Sequence, residues 1–159
     1  MTQPRQATAD NSITVEITIN APAARVFEAL VNPEQRIQWW ISKGRFQATH
    51  MSSDLRPGGA FHMQGTTTAQ GPEKPFSIRG TYTIVDPPRL LEFTWIPDFT
   101  KDQSPPTTTV RIELKESNNQ THVTLTHSGF TPAFPKETFR GWPLLLSNLQ
   151  KYVQKEPGA

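Results

Sequence analysis

The chain contains no cysteine, which excludes disulfides, thiolate nucleophiles and cysteine-based zinc sites. It lacks any apolar run near the roughly 20 residues that a spanning helix needs, so no membrane partner is expected. Neither sign of charge is in marked excess. Sixteen lysines and arginines stand against 14 aspartates and glutamates. The basic residues are dispersed, leaving no stripe that could release many counterions from nucleic acid. The opening stretch, Met1 to Ser12, is polar and has no apolar centre, so it does not read as a secretory signal. A cytoplasmic protein is the expectation. Catalytic signatures are missing as well. Ser128-Gly129 is not set in the Gly-x-Ser-x-Gly of a nucleophile elbow. Arg56-Pro57-Gly58-Gly59 lacks the lysine and the following helix of a phosphate-binding loop. No cofactor is expected.

What the chain does have is patterned apolar residues in a length of 159, enough for one domain with a core. Ile13, Val15, Ile17 and Ile19 alternate with polar residues, the period of a half-buried strand. The same period returns at Phe61 and Met63, at Ile78 to Ile84, at Leu91 to Trp95, at Val110 to Leu114 and at Val123 to His127. Fifteen prolines and nine glycines supply the turns between short strands. Asn20 reads as the cap of a short helix with Pro22 in its first turn. Asn32-Pro33 ends that helix and starts a second, Glu34 to about Trp40. Near the C-terminus the period changes. Phe139, Trp142, Leu146, Leu149 and Val153 fall at steps of three and four, one face of a helix from about Pro135 to Gln154. Pro143 inside that span predicts a kink or a restart.

The order of elements and several short motifs together resemble the activator-of-Hsp90-ATPase-homologue-like family, within the START/Bet v 1-like (SRPBCC, helix-grip) superfamily. The segments that carry the resemblance are Ile19-Asn20-Ala21-Pro22 with Val26-Phe27, Trp39-Trp40, and Asp54-Leu55-Arg56-Pro57-Gly58-Gly59. They continue through Gly80-Thr81-Tyr82, Asp86-Pro87-Pro88-Arg89-Leu90, Phe93-Thr94-Trp95, Thr124-Leu125-Thr126-His127 and Gly141-Trp142. The resemblance implies an α+β helix-grip fold: a curved antiparallel sheet of seven strands around a long C-terminal helix, with two short helices after the first strand. Residues 1–11 are expected to form a disordered tail and residues 12–155 a single domain.

The candidate site follows from the faces. Phe61, Met63, Tyr82, Phe93, Trp95, Val110, Ile112, Leu125 and His127 share the inward parity of the strands, Phe139, Trp142 and Leu146 lie on the helical stripe, and Trp39 and Trp40, at the end of the second short helix, join this aromatic set. Apolar walls with a few polar groups are the mark of a small-molecule pocket, while large aromatics also dominate ordinary cores. The expectation is a small, largely apolar ligand held between sheet and C-terminal helix, with Tyr82 and His127 orienting it by hydrogen bonds. The 97–106 loop and the segment near Pro143 would gate the entrance. A rival is an interaction module working through its surface, with a chaperone or a second copy of the chain as partner. The partner domain that precedes this one in the eukaryotic Hsp90 activator is not in the sequence, which weighs against a chaperone role. A third is an enzyme using His127 or Tyr82 as acid or base. Metal binding is not expected. His122 and His127 are five apart on one strand and face opposite sides, and His50 and His62 have no obvious carboxylate beside them.

Overall fold

In the computed structural model the described residues are 5–9, 11–68, 72–97, 107–131 and 141–155. Alternation builds the sheet as expected. β2 (Ser12–Ile19) buries every second residue. So does β8 (Thr108–Ser117) over its first seven residues, and β9 (Gln120–Ser128) from end to end. With β1 (Arg5–Ala9), β3 (Ile41–Ser42), β4 (Phe46–Ser53), β5 (Ala60–Thr67), β6 (Lys74–Asp86) and β7 (Leu90–Pro97), these make one antiparallel sheet in the order β1-β2-β9-β8-β7-β6-β5-β4-β3.

The described residues thus form nine strands rather than seven. The two additions are the edges. Arg5–Ala9 was expected in the tail, yet it pairs with Ser12–Glu16 of β2. Edge pairing uses backbone groups and needs no apolar alternation, so composition carried no sign of it. β3 is two residues long, below the length at which a period can be read. Asn118 and Asn119 both have positive φ, 53° and 62°, forming the two-residue turn that matches strand twist in a tight hairpin. Gly80 is required by close approach: a Cβ there would lie 1.9 Å from the Thr94 carbonyl oxygen and 2.7 Å from the Phe61 ring.

α1 (Ala23–Val31) and α2 (Pro33–Trp39) follow β2. Asn32 caps α2, its side chain accepting from the amides of Glu34 and Gln35 at 3.0 and 3.3 Å. Asn20 does not cap α1. The free amide of Ala23 donates instead to Glu116 Oε1 of β8 at 2.8 Å, while the Asn20 amide donates to Gln154. α3 runs from Trp142 to Lys155. Pro143 is therefore in its first turn, where an amide hydrogen has no helical partner to lose. The described helix thus begins beside Pro143. The expected helical residues 135–140, and with them Phe139, lie outside the described residues, as does the 98–106 part of the expected gate.

α3 closes the curved sheet by reaching both of its sides. Asn148 Nδ2 donates to the carbonyls of Ile41 at 2.8 Å and Trp39 at 3.3 Å. Gln150 Nε2 donates to Thr18 O of β2 at 2.8 Å. The core fills the space between, and among the described residues no helix is long and apolar enough to cross a membrane.

Candidate functional site

The strand residues proposed for the site share the concave face, and the two helices bring the rest against them. Trp39, Trp40, Phe61, Met63, Tyr82, Phe93, Trp95, Val110, Ile112, Leu125, His127, Trp142 and Leu146 are all buried. Their rings meet one another. Trp40 lies 5.7, 5.5 and 5.4 Å from Trp39, Trp95 and Trp142, centroid to centroid. Phe93 lies 5.2 Å from Phe61 and 6.3 Å from Trp95, and Tyr82 is 5.4 Å from Phe61. These are the tilted and edge-on contacts that aromatic pairs prefer. Among the described residues an open cleft of about 310 Å³ lies elsewhere, between α2 and the β3–β4 edge, along Ile37, Gln38, Ile41, Gln47, Ala48 and Thr49.

Two basic side chains are buried in this aromatic interior, and they differ. His127 is fully buried. Its Nδ1 accepts from Trp142 Nε1–H at 3.0 Å. The ring proton must then sit on Nε2, which contacts Thr108 Oγ1 at 2.7 Å. Thr108 in turn donates to the Trp95 carbonyl at 3.1 Å. The result is a directional chain from α3 through β9 and β8 to β7. Burial holds the imidazole pKa down to about 3, because a charged ring loses its hydration there. With both nitrogens committed, His127 is neither a proton carrier nor a hydrogen-bonding group for a guest.

Arg36 was not among the expected site residues. It is 2% exposed. Its guanidinium lies over Trp40 at 4.9 Å, Trp39 at 5.3 Å and Phe93 at 5.8 Å. Nη1 donates to the Leu30 carbonyl at 3.1 Å, one of the carbonyls left over at the end of α1. Trp39 Nε1 donates to another, Ala29 O, at 3.0 Å. Among the described residues Nε of Arg36 has no hydrogen-bond partner. Burial lowers this pKa to about 10, opposed by the nearby Tyr82 phenol, so the group stays charged at neutral pH. A sequence signal did exist. Arg36 precedes Trp39 and Trp40 by three and four residues, the spacing of neighbours on one helical face. Near this end Tyr82 Oη and Ser53 Oγ are 2.8 Å apart.

The other histidines lie off the concave face. His122 is on the outer surface, 2.7 Å from Glu16. On adjacent strands His50 faces Gln64 and His62 faces Ser52, so the two are offset rather than opposed. Among the described residues no group of three or more histidines and carboxylates gathers as metal ligands do. Asp54 and Arg56 form an exposed ion pair at 2.8 Å across their turn.

Comparison with known proteins adds the following. Residues 20–154 match the family described as activator of Hsp90 ATPase homolog 1-like protein. A crystal structure from Chromobacterium violaceum is similar at 25% identity, covering 91% of this chain and 97% of that one with a TM-score of 0.78. One from Mycobacterium smegmatis, 20% identical, covers 99% of this chain and 97% of that one with a TM-score of 0.78. A solution structure from Arthrobacter aurescens, 16% identical, covers 96% and 92% with a TM-score of 0.81. The latter two likenesses concern the fold. No curated protein matches the chain.

Proposed function

The chain belongs to the activator of Hsp90 ATPase homolog 1-like family, and from that premise we propose that it binds a small, largely apolar molecule in the interior between the sheet, α2 and α3. The observation that carries this reading is an aromatic interior with polar side chains planted inside it, Arg36 and Tyr82 among them, each 2% exposed or less. A core built only for stability gains nothing from a buried cation, whereas apolar walls with a few placed polar groups suit a ligand. Affinity would come from apolar burial, about 25 cal/mol per Å². Since the rings touch, a guest enters by displacing them, with Trp40 at the junction of α2, β7 and α3. Residues 12–155 act as one domain in this reading, and the protein works in the cytoplasm, where a chain without cysteine loses nothing.

Titration of the tryptophan fluorescence with aromatic and lipid-like compounds tests the proposal. Saturable quenching and a raised melting temperature are expected from at least one class. A flat response across a broad panel overturns it. The second reading, a module that docks a partner protein or a second copy of itself, draws on the close packing of the interior rings. A tight partner in sedimentation, with no small-molecule effect on melting, would favour that reading.

A further inference from the structure

We infer that the molecule bound in this interior carries an acidic head, and that Arg36 receives it as a carboxylate; this rests on the ligand reading just given. A guanidinium has five N–H donors in a planar fork. Among the described residues one hydrogen bond of Arg36 is satisfied, to Leu30 O, and Nε is buried without a partner. The ion pairs of the described residues, such as Arg56–Asp54, Arg89–Asp86 and Arg111–Glu92, are all at the surface, and none includes Arg36. Among the described residues its charge is offset by three ring faces, by the negative end of a nine-residue helix and by the Tyr82 phenol. All are partial, diffuse compensations. A carboxylate supplies the missing full charge and matches the fork with two parallel hydrogen bonds.

The surroundings define the rest of the molecule. Trp39, Trp40 and Phe93 surround the guanidinium, so whatever reaches it must carry an apolar or aromatic body. The Tyr82–Ser53 hydroxyl pair stands on the neighbouring strands, and either hydroxyl can donate to an anionic head. A cationic head is excluded by repulsion from Arg36. A neutral alcohol would leave the charge uncompensated.

The test uses matched acid and alcohol pairs on the full chain at neutral pH: phenylbutyrate against phenylbutanol, and decanoate against decanol, read by calorimetry. In the wild-type protein the acid of a pair should bind at least about tenfold more tightly than its alcohol, the least that a charged hydrogen bond is worth. In Arg36→Met the preference for the acid should disappear. Arg36→Lys, which keeps the charge but loses the fork, should retain only part of it. Equal binding of acid and alcohol to the wild-type protein overturns the acidic head and leaves the apolar ligand standing. Binding of neither member of either pair overturns both. The wild-type comparison decides the matter even if a variant fails to fold.

Discussion

The two ends of the interior are built from the same materials to different completion. Along the His127 chain three groups in turn pass a hydrogen bond onward: Trp142 to His127, His127 to Thr108, Thr108 to the Trp95 carbonyl. The imidazole is neutral and ties three strands to α3. At the Arg36 end a full charge sits among rings, and among the described residues its Nε is unpartnered. A buried polar group with its bonding completed is architecture. One with capacity left over points outward, toward something that would complete it.

The contrast can be broken by substitution. His127→Leu keeps bulk but strands the Trp142 N–H and takes a partner from Thr108, so it should cost about 2–4 kcal/mol. His127→Gln can accept and donate in turn, and should recover part of that. Urea denaturation measures both; equal losses would mean that the chain of bonds contributes nothing beyond volume.

Acid should act on the same end. Because the folded pKa of His127, about 3, lies below the usual 6.5, the unfolded chain takes up the proton first. The stabilisation is complete above pH 6.5 and is lost as pH falls toward 3, at up to about 1.4 kcal/mol per pH unit. Stability measured between pH 7 and 4 should fall more steeply for wild type than for His127→Gln. Parallel curves would remove His127 as the cause.

Arg36→Met should behave in the opposite sense. It removes a charge that the fold compensates only in part and leaves an apolar side chain of similar reach. Stability should stay within about 1 kcal/mol of wild type or rise. A loss beyond about 3 kcal/mol would make Arg36 as structural as His127. Smallest of all, His122→Ala removes an exposed pair with Glu16 and should change stability by no more than about 0.5 kcal/mol. A larger effect would mean that the outer face of the sheet matters more than its exposure implies.

Much of this was legible in the chain. Strand faces follow from a period of two, so Tyr82, Phe93, Trp95, Leu125 and His127 were placed on the concave side without coordinates. The same parity put His122 outside. The helical stripe likewise placed Trp142 and Leu146. Arg36 was missed because a charged residue in a short helix is by default solvated. The spacing to Trp39 and Trp40 could have raised it, but not its lack of a carboxylate, which depends on the surrounding elements. That the rings touch was equally beyond a pattern argument. Periodicity assigns a face, while the distance between faces depends on how a sheet curves and where a helix crosses it.

The sequence by itself determined which residues of the strands and of α3 face inward, where the tight turns fall and which family frame the elements occupy, since these are local periodicities and local backbone preferences. Tertiary structure alone decided the cap of α1 by Glu116, the anchoring of α3 to Thr18 and Ile41, and the company kept by Arg36. The first two are side-chain hydrogen bonds spanning 93 to 132 positions. Such partners come together only when the sheet curls, and a linear pattern holds no measure of that curvature.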